Sequence, residues 1–278
     1  MLLLAMARMK RPIIALLSDF GLKDPYIAEM KAVILSICPE ARIIDITHQI
    51  EKFNIRMGAF ILASASQHFP KGTIHVAVVD PGVGTARRAI IVETSNSLFV
   101  GPDNGLLMMA AEKHGIKHVY EIRNKRYMLP KVSRTFHGRD IFAPAAAHLA
   151  NGIPPEEFGP EIKDYIVPEY AKPIIKGNTV IGEVLHIDDF GNLITNISEA
   201  NIAKVGLAEG DLIKLSFRDK SLRLKICRAY GEVDAGEPLA IIGSHNFLEF
   251  SVNLGNAAKC FGLNVGDKLM LERAAKVT

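Results

Sequence analysis

Three short segments of the chain place charged side chains in loops of the kind that carry catalytic groups. They are residues 18–21 (SDFG), residues 80–87 (DPGVGTAR) and residues 135–140 (TFHGRD). An acid, a guanidinium that is always charged and an imidazole in one crevice would orient and polarise a water molecule. The sequence therefore predicts an enzyme rather than a scaffold.

The first two segments follow apolar runs that are typical of buried parallel strands. Residues 13–17 precede Asp19, and residues 74–79 precede Asp80. In open α/β sheets, ligands bind at the carboxyl ends of the strands. We therefore expect Asp19 and Asp80 at the ligand-binding edge of one sheet.

Strand and helix patterns alternate through the first half of the chain. The spacing predicts an α/β catalytic domain over residues 12–153, with a mostly parallel sheet and flanking helices. Asn104 is expected to cap one of these helices, and Asp140 is expected to cap the last one. The predicted helices cover residues 26–37, 55–68, 104–114 and 141–150, and further strands cover residues 42–46, 89–92 and 98–100.

The pattern changes after residue 153. Five prolines between residues 154 and 177 indicate a linker. Short β-type runs separated by Gly, Asp and Asn turns then predict an all-β domain over residues 178–278, either a small antiparallel barrel or a sandwich. These runs are residues 179–187, 193–197, 212–217, 222–229 and 239–242. Residues 1–11 are expected to be an N-terminal extension.

Composition limits the partners and the location. The chain has 33 basic and 30 acidic residues, a balance that argues against nucleic acid or an anionic membrane as the main partner. The apolar N-terminal stretch is too short for a membrane span and has no basic region before it. Three cysteines without CxxC spacing indicate a reducing compartment and buried or semi-buried thiols. We expect a cytoplasmic protein.

Each candidate residue also has a structural interpretation. Asp24 precedes a proline and is suited to cap a helix. Residues 80–84 can form a tight turn, Arg87 can be an ordinary ion-pair partner, and a lone histidine such as His137 is often structural. Metal-like spacing joins two further histidines, but a glycine interrupts the helix there, and no metal site is expected.

Two segments of the predicted β domain place polar residues where strands are interrupted or end. Residues 188–192 (DDFGN) interrupt a strand, and Ser244 follows another strand end. The Asp-Phe-Gly sequence invites comparison with protein kinases, but the glycine-rich loop and the other kinase motifs are missing from the sequence. Both segments can equally be polar turns.

Taken together, the segments resemble the S-adenosylmethionine hydroxide adenosyltransferase family, whose relatives include fluorinating and chlorinating enzymes. The resemblance spans nearly the whole chain, and several motifs in order are more specific than any one alone. It rests on residues 18–21, 38–39 (CP), 80–84, 101–105 (GPDNG), 136–140, 189–192 and 253–258 (NLGNAA).

The resemblance implies an N-terminal α/β domain, a C-terminal β-barrel and a homotrimer with active sites between subunits. It implies that water and S-adenosyl-L-methionine give adenosine and L-methionine without a further cofactor. The catalytic set would be Asp80, Arg87 and His137.

The resemblance also implies substrate contacts. Asp19 would hold the ribose diol, with Phe53 beside the sugar, and Asp188, Asn192 and Ser244 would bind the methionine end. The adenine side would be lined by Phe190, Phe247, Val252 and Leu254. The remaining expected substrate-binding residues are Asp24, Phe136 and Asn253.

Two departures bear on rival functions. Gly138 stands where the halogenating relatives have a serine, which favours hydroxide over halide transfer. His245 stands where those relatives have an arginine, so the resemblance leaves open how this chain binds the methionine carboxylate. The rivals are a chlorinase-like transferase and a sensor that binds adenosine or S-adenosylmethionine without turnover.

Overall fold

The computed structural model describes residues 11–274, and the remaining terminal residues lie outside the described part of the chain. The predicted extension over residues 1–11 therefore falls, except for Arg11, outside it. Contacts divide the chain into two units between Pro168 and Glu169. This division lies within the Pro-rich segment of residues 154–177, whose last residues already belong to the second unit.

The first unit contains a six-stranded sheet with the strand order β2-β1-β3-β5-β4-β6. The pairs β2–β1, β1–β3 and β3–β5 are parallel, whereas β4 runs antiparallel to β5 and β6. Only β4 therefore runs against the others, and the predicted mostly parallel sheet is confirmed. The strands are β1 (Ile13–Ser18), β2 (Arg42–Thr47), β3 (Ile74–Val78), β4 (Ala89–Thr94), β5 (Leu98–Pro102) and β6 (Ile116–Glu121).

Four α-helices flank this sheet. They are α1 (Tyr26–Ile37), α2 (Ile55–Ala65), α3 (Met108–Lys113) and α4 (Ala143–Ala150). Helices α1 and α4 pack on one face, where Ile14 and Val76 of the sheet meet Ile34 and the alanines of α4 in one buried cluster. Helix α1 has the predicted bounds, because prolines stand next to its first residue and just after its last turn.

The predicted caps are wrong. Asp24 is exposed, and the N-cap position of α1 is Pro25, which has no capping side chain. The Asn104 side chain donates to the Val79 carbonyl and accepts from the Leu106 N–H, four residues before α3 begins at Met108. Asp140 is buried inside a π-helical turn, Gly138–Phe142, that precedes α4. Hydrogen bonds to other segments hold Asn104 and Asp140 away from the helix ends.

The second unit is a closed seven-stranded barrel, because β14 pairs with both β10 and β8. This result confirms the barrel and excludes the sandwich. The barrel is mainly antiparallel, but β11 and β12 pair in parallel. Its strands are β8 (Thr179–Ile187), β9 (Leu193–Ser198), β10 (Leu212–Phe217), β11 (Lys220–Cys227), β12 (Pro238–Ile242), β13 (Phe247–Val252) and β14 (Lys268–Arg273).

Smaller elements complete the second unit. Strand β7 (Ile174–Lys176) pairs with β8 outside the closed barrel, and two short helices, α5 (Glu199–Lys204) and α6 (Ala257–Phe261), lie between strands. Leu248 and Phe250 of β13 lie in the barrel core. Since side chains alternate along a strand, Glu249 lies on the outer face.

All three cysteines are free thiols. Cys38 and Cys227 are buried as expected, but Cys260 is exposed, which corrects the expectation of buried or semi-buried thiols. Cys260 lies in the short helix α6 at a position that faces away from the barrel core. Within residues 11–274, no helix is long and apolar enough to cross a membrane.

A buried histidine in the first unit should make stability depend on pH. His75 of β3 is fully buried, is stacked on Phe99 with ring centroids 4.8 Å apart, and lies beside His114. Neither ring nitrogen of His75 has a hydrogen-bond partner among residues 11–274. Burial, with a smaller contribution from His114, lowers the pKa of His75 to about 3.

We expect His75→Phe to flatten the acid limb of the stability curve. The folded state favours the neutral ring. The stability that depends on a neutral His75 is therefore fully present above the unfolded-state pKa near 6.5 and is lost as pH falls toward 3. At pH 5 the loss is about 2 kcal/mol in the parent protein. Urea unfolding at pH 7 and pH 5 measures it, with His118→Gln as an exposed control. An equal loss in both variants would contradict this prediction.

Candidate active site

The loop after β3 brings Asp80 and Arg87 together. Backbone hydrogen bonds from Val83 to Asp80 and from Thr85 to Gly82 fold it into consecutive turns. Gly84 has a φ of +77°, and a Cβ there would lie 2.2 Å from the Arg134 carbonyl oxygen. Glycine is needed at this position because the loop packs directly against the segment that leads to His137.

Arg87 connects the three residues of the predicted catalytic set. Its Nε and Nη2 donate to the two carboxylate oxygens of Asp80 at 3.1 and 2.5 Å. Nη2 also lies 2.9 Å from Nδ1 of His137, and Nη1 donates to the Arg88 carbonyl. The side chains of Arg87 and Asp80 are only 8% and 5% exposed. The structure therefore brings Asp80, Arg87 and His137 into one buried network.

This network fixes the protonation of the imidazole. A guanidinium only donates hydrogen bonds, so Nδ1 of His137 must accept from Arg87, and the neutral ring carries its proton on Nε2. Burial and then the Arg87 charge lower the pKa of His137. Burial raises the pKa of Asp80, and the Arg87 charge opposes this shift. The site thus favours a neutral histidine beside a carboxylate of raised basicity.

A second set of hydrogen bonds holds the backbone around His137. One Asp140 oxygen accepts from the Ser133 N–H at 2.7 Å, and the other accepts from Nε of Arg139 at 2.7 Å. The Ser133 hydroxyl accepts from the Phe136 N–H. The buried acid that the sequence assigned to helix capping therefore orders the loop that carries the histidine.

Asp19 follows β1 and is 5% exposed. One of its carboxylate oxygens accepts the Phe53 N–H at 2.9 Å, and its backbone carbonyl accepts a hydrogen bond from Lys52. Phe53 has a φ of 66° and is 69% exposed. Asp19 thus supports an unfavourable backbone conformation that presents an aromatic side chain to solvent.

Sequence reasoning missed the groups that hold the Asp19 turn. The buried Ser18 hydroxyl lies 2.8 Å from Nδ1 of His48, and the Phe20 N–H donates to the same hydroxyl. Nε2 of His48 lies 3.1 Å from Asp45. The order Ser-His-Asp resembles a hydrolase triad, but Ser18 is only 1% exposed, so a substrate would not reach it.

Phe136, next to His137 in the chain, lies in an aromatic cluster. Its ring is 5.6 Å from Phe20 and 5.1 Å from Tyr26, and the Arg139 guanidinium lies 5.0 Å above it. A Cβ at Gly138 would lie 3.2 Å from both the Phe136 ring and the thioether Sδ of Met30. The position next to His137 is therefore tightly packed.

The predicted substrate residues of the second unit fall into two groups. Asp188 accepts hydrogen bonds from the Phe190 N–H and from both nitrogens of Asn192, which folds residues 188–192 into a compact turn. Phe190 and Leu254 are 79% and 92% exposed, and Ser244 is exposed as well.

The other group is held inside the unit. Phe247 and Val252 are buried, with Val252 in the barrel core. The Asn253 side chain donates to the Val233 carbonyl at 2.8 Å. These three residues are thus already engaged within their own unit.

Known families match both units. The model of the SAM hydroxide adenosyltransferase N-terminal domain matches residues 14–159, and that of the C-terminal domain matches residues 182–270. The chain belongs to this family. The N-terminal match contains Asp80, Arg87 and His137, so the network described above lies inside the family's own domain.

Among its relatives are hydrolases and halogenating enzymes. The chain is 39% identical to an (R)-S-adenosyl-L-methionine hydrolase of Thermus thermophilus, over 90% of this chain and 95% of the relative. It is 37% identical to the enzyme of the same name from Salinispora tropica, over 93% and 97%. A fluorinase from an Actinoplanes species is 29% identical over 95% and 98%.

A solved structure has the same fold. The crystal structure of an uncharacterized conserved protein from Thermotoga maritima superposes with a TM-score of 0.85 at 42% identity, covering 94% of this chain and all of that one. Among residues 11–274, no cluster of three or more histidine, cysteine or acidic side chains is arranged to hold a metal ion.

Proposed function

We propose that this protein hydrolyses S-adenosyl-L-methionine to adenosine and L-methionine by in-line attack of water on the ribose C5′. The observation that carries the proposal is the buried Asp80–Arg87–His137 network. The identity to named hydrolases, higher than to the fluorinase, supports the same reaction.

The proposed mechanism depends mainly on orientation. The sulfonium already makes methionine a good leaving group, so the protein must align a water molecule opposite the sulfur. His137 donates to that water through its Nε2–H, while Asp80 accepts the proton that leaves during attack. Full deprotonation beforehand is disfavoured because free water has a pKa of about 15.7. This chemistry requires no cofactor.

Arg87 acts in this mechanism as a positioning residue. Its contacts with Asp80, His137 and the Arg88 carbonyl use four of its N–H groups. Its charge keeps Asp80 ionised and keeps His137 neutral. One guanidinium therefore sets the protonation state of both the proton acceptor, Asp80, and the hydrogen-bond donor, His137.

Substrate recognition is proposed along the lines of the family resemblance. Asp19 has one carboxylate oxygen engaged with Phe53 and retains acceptor capacity for a ribose hydroxyl. Phe53 would cover the sugar. Asp188, Asn192 and Ser244 would bind the methionine end, and Asp24, Phe136, Phe190, Phe247, Val252, Asn253 and Leu254 would complete the site.

Incubation of the purified protein with substrate tests the proposal. Because the hydrolase relatives are named for the (R) form, the (R) and (S) sulfonium diastereomers should be supplied separately. We expect adenosine and methionine in equal amounts from the (R) form. Substrate that binds but survives prolonged incubation would instead identify a sensor.

The same assay in chloride-rich buffer tests the halide alternative. A serine at position 138 would bring its Cβ within 3.2 Å of Met30 and Phe136, so the local packing favours glycine. We expect no halogenated adenosine. Formation of 5′-chloro-5′-deoxyadenosine would show a chlorinase-like transferase.

We also propose a cytoplasmic homotrimer. Three expected substrate contacts, Phe53, Phe190 and Leu254, are strongly exposed in a single chain, as is usual for apolar groups that another surface covers. Three free thiols support a reducing compartment. Light scattering coupled to gel filtration should give about three times the mass of one chain.

The acid limb of the pH profile should lie below pH 6.5. The active form contains neutral His137 and ionised Asp80. Because burial and Arg87 lower the pKa of His137, and because Arg87 opposes the rise that burial causes in the pKa of Asp80, we expect the acid limb of kcat, measured at saturating substrate, to be centred below pH 6.5. Initial rates in a constant-ionic-strength buffer series measure this profile. A limb centred above pH 6.5 would contradict the assignment.

A further inference from the structure

A buried acid on the outer face of the barrel has no role in the reaction described so far. Glu249 lies on β13 opposite Ile241 of β12 and Ile194 of β9. The residue is only 6% exposed. A carboxyl group among apolar neighbours lowers stability unless something compensates for it.

The contacts of Glu249 leave one of its oxygens available. The Tyr230 hydroxyl donates to Oε2 over a long 3.4 Å. Oε1 points at Gly243, where a Cβ would lie only 1.7 Å away. Gly243 begins the turn that carries Ser244 and is closed by the Asn246 N–H donating to the Gly243 carbonyl. Glycine therefore makes room for the acid beside a residue expected to bind the methionine end.

A second acid lies close to the first, because Ile194, opposite Glu249, is itself paired with His186 of β8, two residues before Asp188. Burial and then the negative charge of Asp188 raise the pKa of Glu249 to about 7. Burial, Glu249 and Asp188 together raise the pKa of Tyr230 as well. The three groups thus form one electronegative cluster, and Tyr230, which is 42% exposed, lies at its outer edge.

We infer that Glu249, together with Asp188, binds the α-ammonium group of the methionine part of the substrate. An ammonium offers three N–H donors, and Oε1 of Glu249 has capacity to accept one of them. The arriving positive charge would relieve the repulsion between the two acids. The inference rests on the proposed function, because the substrate supplies the cation, and it adds Glu249 as a specificity-determining residue.

Glu249→Gln is the test variant. Glutamine has the size of the protonated acid, so the variant should fold. We expect its KM for S-adenosyl-L-methionine to rise about 10- to 100-fold with kcat within about threefold. For a substrate analogue without the α-amino group, the variant and the parent enzyme should have the same KM. Glu249→Asp, which keeps the charge, should recover part of the loss.

Glu272→Gln serves as the matched control, because Glu272 lies on β14 of the same barrel and pairs with Lys214. It should leave both KM values unchanged. An equal rise of KM for both substrates in Glu249→Gln, or no rise, would overturn the inference. A parent protein without turnover would contradict the proposed function instead, and calorimetric binding of S-adenosyl-L-methionine would then carry the same comparison.

Discussion

Replacing Arg87 by alanine is expected to lower kcat about 10²- to 10³-fold, with KM changed by less than about threefold. The reason is that the guanidinium is bonded to both Asp80 oxygens and to Nδ1 of His137. Without it, burial favours protonated Asp80, and the imidazole loses the donor that fixes its tautomer. Steady-state kinetics with S-adenosyl-L-methionine measures the effect.

Two further variants separate catalysis from folding. Arg87→Lys keeps the charge near the buried acid but lacks the planar geometry for a bidentate bond to Asp80 plus a bond to His137, so we expect a large loss of kcat here too. Arg123→Ala removes an exposed ion pair with Glu121 in the same unit and should leave kcat unchanged. A fall in kcat/KM caused by KM alone would contradict the positioning role of Arg87.

Replacing Asp19 by alanine is expected to raise KM about 100-fold while kcat stays within a few-fold. A carboxylate that accepts hydrogen bonds from a ribose diol contributes to binding in the ground state and the transition state alike. The variant also frees the Phe53 N–H and so weakens the support for the positive φ of that residue.

A 2′-deoxy analogue of the substrate distinguishes diol recognition from support of the loop. Asp19→Asn keeps an acceptor for the Phe53 N–H and serves as the matched control. The parent enzyme should prefer the natural substrate over the analogue, and Asp19→Ala should lose most of that preference. If Asp19→Ala discriminates as well as the parent does, Asp19 does not bind the diol.

Local sequence rules predicted much of the scaffold. Helix α1 was predictable because prolines bound an apolar stripe of helical period, and strands β8 and β10 were predictable from β-type runs between turn residues. Strands β6, β7, β13 and β14 were missed. The apolar run of residues 247–252 was a signal for β13, but the acid in its centre interrupts the pattern.

Polar residues were harder to assign, because their partners are distant in sequence. Asp140 has the position of a helix cap, yet it bonds to Ser133 across the loop. The convergence of Arg87 on His137, fifty residues away, followed from the family resemblance and not from any local pattern. Glu249 was missed because nothing local indicates that Gly243 and Asp188 surround it.

Oxygen labelling tests the central claim most directly. The parent enzyme is supplied with (R)-S-adenosyl-L-methionine in H₂¹⁸O for a single turnover, and both products are analysed by mass spectrometry. If the Asp80–Arg87–His137 network directs water to C5′, one ¹⁸O atom appears in the 5′-hydroxyl of adenosine and none in methionine. Unlabelled adenosine, or label in the amino-acid product, would contradict this account.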